Sequence, residues 1–318
     1  MKSLLLFALL AAVLAVSLAH HGKYKRKGGC YMDEDDDDDM PMCGGRRHES
    51  DAGHGYGGYG RMRRHHGEEE EEEEEHVYRF HVGEEFGAYA YLNEEGRLKG
   101  YYIDLLQAVC NKAGKKCAYL RDTYDHCWYA EGEDEFPGVG LLDGYYDACM
   151  GFLPSPDRLN SFNFTSAFSP NVKGALHWRT GENETVDHKN LTGLSIGFLE
   201  GWAVSIRCLK RNYHIKGDAP FTPVFYKTHG DMVDGLLHHE VDAILSVNVF
   251  DSSSKGIKAD GPWFQCSTRG LSVMAHYYSD VIPWFNCALK RLQRSGELDE
   301  ICERGQKTHG AHGKFSCV

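Results

Sequence analysis

The amino-acid composition of the chain changes at Val77, and this boundary limits which part of the chain can form a folded core. Residues 20–76 combine an aspartate run, a glutamate run, Gly- and Tyr-rich stretches and basic patches, with almost no side chains for a core. Ordering such a segment costs conformational entropy that little burial would offset, so we expect a disordered acidic, His- and Gly-rich tail. Residues 77–318 are long enough to form two lobes with separate cores.

The N-terminal residues have the pattern of a targeting signal. A lysine at position 2 precedes an almost purely apolar run from Leu4 to Leu18, and small residues lead to Ala19. This pattern predicts a signal peptide over residues 1–19 and therefore a secreted, extracellular protein. The run is shorter than the about 20 apolar residues that span a bilayer, and no later stretch is long and apolar enough, so we expect no membrane span.

Eleven cysteines in a secreted chain predict disulfide bonds. Nine of them lie between Cys110 and Cys317, so at least one is free, pairs with a tail cysteine or pairs with another chain. Their pairing cannot be deduced from the sequence. Three N-glycosylation sequons support a glycoprotein from a eukaryotic secretory route. They begin at Asn163, Asn183 and Asn190.

The charge of −12 comes mainly from the tail, where residues 33–39 and 68–75 are all acidic. Residues 77–318 are nearly balanced in charge, with 25 Lys and Arg against 30 Asp and Glu. We therefore expect no nucleic-acid partner. The tail either maintains solubility or binds divalent cations or a mineral surface. Carboxylates suit calcium, and imidazoles suit zinc or copper. Neither the acidic runs nor the histidines of the tail have the spacing of a defined metal site. We therefore expect only weak metal binding, around Asp35, Asp37, His65 and His66.

Short apolar strands alternate with helical stretches after Val77, which predicts an α/β fold. Residues 78–82, 147–152, 194–198 and 241–247 have the composition of strands. Residues 103–111 have helical periodicity, with a stop signal at 112–114. Residues 286–302 indicate a terminal helix that is interrupted at Ser295-Gly296.

Several segments then follow one another in an order typical of one family. GRLKGYYIDL at 96–105, DGYYDA at 143–148, SPDR at 155–158 and FNFTSAF at 162–168 come first. NLTGLSIG at 190–197, HEVDA at 239–243 and a closing helix at 292–304 follow. This succession resembles the extracellular solute-binding proteins for polar amino acids, whose plan is shared by ionotropic glutamate receptor ligand-binding domains.

The resemblance implies a two-lobed periplasmic-binding-protein-like II fold with a hinge. The first lobe would comprise about 77–173 and 270–318, and the second about 190–264. Two crossing strands would form the hinge, and the lobes would close around a ligand.

The resemblance also implies a set of ligand-binding residues. Arg158 would grip a carboxylate, because a guanidinium matches a carboxylate edge to edge and stays charged. Ser155 opens the same motif, in which Leu153-Pro154 replaces the usual threonine. Glu84 would face a cationic group, although such an acid is also typical of a solvated loop. Gly201 is expected at the start of a second-lobe helix, where free N–H groups can receive an anion.

Other positions depart from the family pattern. Trp202 stands where the family carries Thr or Ser, and it could stack on a ligand or plug the cleft. Ser246 begins a stretch, 246–248, in which the family's acid for the ligand amine is missing. Three aromatic residues could line the cleft or belong to the core. These are Phe86, Tyr89 and Tyr91.

The sequence therefore predicts a non-enzymatic protein that binds a small carboxylate or amino acid and needs no cofactor. No Cys-His, Ser-His-Asp or paired-carboxylate arrangement has local support. Asp122, Asp125 and His126 cluster near Cys127, but in a segment that is longer than the family's and indicates a disulfide-pinned loop. The alternative is an extracellular scaffold glycoprotein with a degenerate cleft, in which the tail binds calcium, transition metals or mineral.

Overall fold

The computed structural model describes residues 76–84, 86–181, 189–202, 205–248, 256–259, 263–313 and 315–317. The predicted signal peptide, the tail up to residue 75 and its four proposed metal-binding residues lie outside this part of the chain. Asn183 lies outside it as well.

Fifteen strands are found among the described residues. In chain order they are β1 (Val77–His81), β2 (Tyr91–Leu92), β3 (Leu98–Lys99), β4 (Lys116–Leu120), β5 (Trp128–Glu131), β6 (Asp134–Pro137), β7 (Ala148–Phe152), β8 (Phe162–Phe164), β9 (Lys173–Arg179), β10 (Ser195–Leu199), β11 (Thr222–Tyr226), β12 (Ala243–Val247), β13 (Ile257–Ala259), β14 (Phe264–Gln265) and β15 (Ser272–His276).

Most strands belong to two sheets, each at the centre of one lobe. The first sheet has the order β4-β1-β7-β15-β8, with β15 antiparallel to both neighbours and the β1 pairs parallel. The second has the order β11-β10-β12-β9-β13, and β14 also pairs with β9. The fold is thus the expected two-lobed α/β fold. We call the parts around these sheets the first and the second lobe.

The described residues form seven α-helices. They are α1 (Tyr101–Ala113), α2 (Val139–Leu142), α3 (Pro156–Leu159), α4 (Ser205–Asn212), α5 (His229–Leu237), α6 (Val281–Ser295) and α7 (Glu297–His309). Among these residues, none of the helices combines the length and apolarity that crossing a bilayer requires.

Capping explains where the predicted helices end. Gly114 adopts a left-handed conformation after α1, and its N–H donates to the Asn111 carbonyl at 3.1 Å. Gly296 is also left-handed, with φ of 78°, and separates α6 from α7. The predicted break at Ser295-Gly296 is therefore confirmed, although the two helices extend further than residues 286–302.

Two chain segments cross between the lobes, from β8 to β9 and from β14 to β15. They are hydrogen-bonded to each other: the backbone N–H groups of Cys266 and Ser267 both donate to the Val172 carbonyl. Gly270 packs against Ser169 so closely that a Cβ would lie 1.8 Å from the Ser169 carbonyl oxygen. The close approach of the two segments therefore requires a glycine at this position.

Disulfide bonds connect elements within each lobe. The pairs are Cys110–Cys117, Cys127–Cys149, Cys208–Cys266 and Cys302–Cys317. Cys287 is disulfide-bonded as well, so none of the nine cysteines from Cys110 to Cys317 is a free thiol. The prediction of disulfides is confirmed, and a free thiol in the domain is excluded.

A substitution at the crossing segments tests their packing. We expect Gly270→Ala to lower the free energy of unfolding by about 1–3 kcal/mol, because the added methyl overlaps backbone that must shift. Gly230→Ala is the matched control, since its Cβ meets nothing nearer than 3.7 Å inside α5. There the change should be neutral or stabilising by about 0.5–1 kcal/mol. Urea unfolding measures both, and equal stabilities would contradict the described crossing.

Candidate functional site

The Arg158 side chain is held at the junction of the two lobes by the short helix α3. Ser155 caps this helix, and its hydroxyl accepts a hydrogen bond from the Arg158 N–H at 3.2 Å. Pro156 occupies the first helical turn, where a missing N–H costs nothing. The guanidinium donates through Nη1 to the Leu153 carbonyl at 3.1 Å and through Nη2 to the Gly201 carbonyl of the second lobe.

Aromatic rings surround this guanidinium. Its carbon lies 5.3 Å from the ring centroid of Trp128 and 5.1 Å from that of Phe152, within the range of cation–π attraction. The Tyr124 ring stacks on Phe152 at 4.4 Å. Burial raises the pKa of Tyr124, and the charge of Arg158 opposes that rise. The phenol therefore stays neutral beside the cation.

Arg158 is 1% exposed, and its charge has no carboxylate partner in the described part of the chain. Its Nε atom is buried and has no hydrogen-bond partner there either. Arg207, by contrast, forms an exposed ion pair with Asp157 at 2.8 Å. A buried cation without a counter-ion is costly, because it gives up hydration without a compensating charge. Arg158 thus has the chemistry of an anion-binding group.

The second lobe meets this region through the turn that contains Gly201 and Trp202. Helix α4 is described from Ser205, so Gly201 precedes it, and the carbonyl of Gly201 contacts Arg158. The sequence had suggested a helix start with an N–H facing an anion. A Cβ on Gly201 would lie 3.5 Å from the Tyr124 ring. Trp202 is buried and stacks on Phe86, with centroids 6.3 Å apart and planes 8° apart.

Other predicted site residues lie in different surroundings. Glu84 is exposed, and its backbone carbonyl accepts a hydrogen bond from Arg121 Nε at 2.8 Å. Ser246 is fully buried in β12, where its hydroxyl lies 3.2 Å from His229 Nε2. Tyr89 and Tyr91 are buried in the first lobe. The structure therefore brings Ser155 and Gly201 to Arg158, whereas Trp202 packs on Phe86.

Further contacts across the lobes involve residues that the sequence analysis missed. Glu200 of the second lobe accepts a hydrogen bond from the Gly132 N–H at 2.9 Å and forms an ion pair with Lys227. Gly132 lies at the turn of the β5–β6 hairpin, in the segment that the sequence indicated as a disulfide-pinned loop. The Cys127–Cys149 bond does pin this segment, which contains a hairpin rather than an irregular loop.

The described sequons differ in their surroundings. Asn163 is half-buried in β8, where its side-chain oxygen accepts from the Phe164 N–H, and Thr165 of that sequon is buried. Asn190 is exposed. Glycosylation at these positions stays a prediction, as does glycosylation at Asn183.

The family model for bacterial extracellular solute-binding proteins, family 3, matches residues 78–304. The chain belongs to this family. No curated protein sequence matches the chain. The solved structures that match show the same fold at low sequence identity.

Three of these structures illustrate the likeness. An ancestral arginine-binding protein bound to arginine is 19% identical, covers 72% of this chain and 97% of its own, and has a TM-score of 0.55. An arginine transport system periplasmic binding protein from Legionella pneumophila is 18% identical, covers 72% and 98%, and scores 0.58. A His/Glu/Gln/Arg/opine family-binding protein from Silicibacter pomeroyi, in complex with lysine, is 16% identical, covers 76% and 99%, and scores 0.58.

Asp122 lies in the segment before the β5–β6 hairpin, and the hydrogen bonds that its carboxylate accepts depend on pH. Partial burial would raise the pKa of Asp122, but hydrogen bonds from Tyr146, His126 and the Thr123 N–H lower it to about 2. A depressed pKa means that ionised Asp122 stabilises the fold above the ordinary carboxyl range, and that this contribution is lost as pH falls towards 2.

We therefore expect Asp122→Asn to be less stable than the wild type at pH 5–7. The difference should shrink between about pH 4 and pH 2, where the wild-type carboxylate becomes protonated. Asp218→Asn, which removes a carboxylate from outside this network, serves as the control. Urea unfolding as a function of pH measures the effect. A pH-independent difference would contradict the role of the Asp122 charge.

Proposed function

We propose that the chain is a secreted, non-enzymatic binding protein whose lobes close around a small solute bearing a carboxylate, such as an amino acid. The observation that supports this is the buried guanidinium of Arg158 at the junction of the lobes, without a carboxylate partner among the described residues. The signal-peptide pattern of residues 1–19 supports secretion.

The hydrogen-bonding capacity of Arg158 fits a carboxylate. A guanidinium has five N–H donors, and the described residues accept from two of its nitrogens, Nη1 and Nη2. The partnerless Nε lies on the edge that can bind a carboxylate through two parallel hydrogen bonds. A carboxylate there would neutralise the buried charge, and the aromatic surroundings would strengthen the attraction by excluding water.

The second lobe would complete the site. In this proposal Gly201 and Trp202 move relative to Arg158 as the lobes open, and the solute replaces the Gly201 carbonyl as a partner of Arg158. Ser155 and Ser246 contribute polar groups, and Glu84 takes any cationic group. Two of the structural relatives contain arginine and lysine, which carry both a carboxylate and ammonium or guanidinium groups.

Substitution of Arg158 separates binding from folding. We expect Arg158→Met to fold with unchanged or higher stability, because an apolar side chain replaces a buried unpaired charge. It should at the same time lose the thermal shift produced by amino acids or organic acids. In the wild type, a ligand at 100 times its Kd adds about 2.7 kcal/mol of stability.

Arg207→Met is the matched control, because it removes an exposed arginine that pairs with Asp157 near the same junction. It should keep the ligand-induced shift, since exposed ion pairs contribute at most about 1 kcal/mol. A ligand that shifts Arg158→Met as much as the wild type would refute the assignment of Arg158.

A second candidate is a scaffold glycoprotein whose cleft no longer binds a solute and whose tail binds calcium, transition metals or mineral. The observation that favours it is that the chain's own groups fill the junction. Trp202 stacks on Phe86, the Gly201 carbonyl meets Arg158, and Glu200 binds the hairpin at Gly132. Such contacts stabilise a closed arrangement without a solute.

Glu200→Ala tests these contacts. The Gly132 N–H would lose a charged acceptor worth about 1.5–3 kcal/mol, so hydrogen exchange in the β5–β6 hairpin should be at least about 10-fold faster. Glu133→Ala removes an exposed acid from the same hairpin and should leave exchange unchanged. If the scaffold candidate is correct, no solute slows exchange in the wild type. Equal exchange in both variants would contradict a hairpin held closed by Glu200.

A further inference from the structure

A second buried cluster lies in the first lobe, and the proposed solute binding does not use it. It consists of His81 at the end of β1 and the disulfide-bonded Cys127 and Cys149. All three side chains are fully buried. One ring nitrogen of His81 and the two Sγ atoms lie within 4.8 Å of one another. These are soft and intermediate ligand atoms, which suit transition metals.

Hydrogen bonds fix the orientation of the His81 ring. Its Nε2 lies 2.9 Å from the Asp122 carbonyl and 3.0 Å from the Thr123 carbonyl. Both partners only accept hydrogen bonds, so Nε2 carries the proton and Nδ1 keeps its lone pair. Burial lowers the pKa of His81, so the ring stays neutral. Nδ1 is itself buried and has no partner among the described residues.

This arrangement matches the outer shell of a metal-bound histidine. Such a histidine donates its other ring N–H to a backbone carbonyl or carboxylate, which fixes the tautomer and presents the lone pair. Here the two carbonyls perform that role before any ion binds. A fully buried Nδ1 without a hydrogen-bond partner costs free energy. Such atoms are rare in folded proteins, so this one needs an explanation.

We propose that, once the Cys127–Cys149 bond is reduced, the two thiolates and His81 Nδ1 form a three-coordinate site for a cuprous ion.

The chemistry needs a dithiol as reductant. The dithiol attacks the S–S bond, is itself oxidised to a cyclic disulfide and leaves Cys127 and Cys149 as thiols. Binding of Cu(I) then releases two thiol protons to solvent and leaves the oxidation state of copper unchanged. In the reverse exchange, a cyclic disulfide takes two electrons from the two thiolates and, with two protons from solvent, leaves as the dithiol. This restores the Cys127–Cys149 bond, removes two ligands and releases the ion. The disulfide and the copper site are thus alternative states of the same two sulfur atoms.

The ligand count favours Cu(I) over zinc. Structural zinc is almost always four-coordinate. The surroundings supply three ligand atoms within the described residues, and apolar side chains enclose them. Thiolates are also soft ligands, which select Cu(I). With metal–ligand distances of about 2.0–2.3 Å, trigonal ligands lie about 4 Å apart. The sulfur atoms must therefore separate after reduction, which side-chain rotation allows.

The experiment compares full-length variants that are reduced anaerobically with a dithiol, loaded with Cu(I) and desalted. Bound copper is measured by mass spectrometry, and the affinity by competition with a chromophoric cuprous chelator. Cys127→Ala/Cys149→Ala removes the site. Cys110→Ala/Cys117→Ala is the matched control, because it removes another disulfide of the first lobe. Reduction and the tail affect all variants alike, so the difference between variants is the result that counts.

We expect the wild type and the Cys110→Ala/Cys117→Ala control to retain one more copper ion per chain than Cys127→Ala/Cys149→Ala. His81→Gln keeps a donor for the two carbonyls but lacks an imidazole, so its copper affinity should fall at least about 10-fold. Equal copper in both double variants or an unaffected His81→Gln variant would overturn the proposal. If Cys127→Ala/Cys149→Ala loses its native near-ultraviolet circular dichroism, the single variant Cys149→Ser is used in its place.

Discussion

The burial of the Arg158 guanidinium is the constraint on which the junction of the two lobes depends. A cation 1% exposed needs hydrogen bonds and polarisable neighbours, because it has given up its hydration. Helix α3 supplies its backbone position, Trp128 and Phe152 supply ring faces, and Gly201 supplies a carbonyl from the other lobe. Arg158 thereby contacts both the β5–β6 hairpin and the second-lobe turn, which the Glu200–Gly132 hydrogen bond also connects.

Local signals were enough to predict most of the fold. Helix α1 has a left-handed glycine at its end, and the α6–α7 break coincides with another, so both boundaries could be predicted from neighbouring residues. The two-lobed architecture followed from the succession of family-like segments. Arg158 could also be singled out, because the segment that resembles the family motif, residues 155–158, is contiguous in the sequence.

The surroundings of Arg158 could not be predicted in this way, because they come from distant parts of the chain. Gly201 lies 43 residues after Arg158, and no periodicity indicates that its carbonyl, rather than its N–H, faces the guanidinium. Trp128 belongs to a segment longer than in the resembled family, so no motif assigned it a role. Disulfide pairing depends equally on tertiary contacts: Cys208 and Cys266 are 58 residues apart.

The two proposed sites share one structural element, and this has a physical consequence. Trp128 follows Cys127 directly, so the disulfide to Cys149 fixes the backbone that carries one ring face of the Arg158 surroundings. The same hairpin reaches the second lobe through Gly132 and Glu200. Breaking the Cys127–Cys149 bond frees this backbone to move, whereas a copper ion on both sulfurs would restrain it again. A reduced, metal-free hairpin should therefore hold Arg158 and Glu200 less firmly than either the disulfide or the copper form.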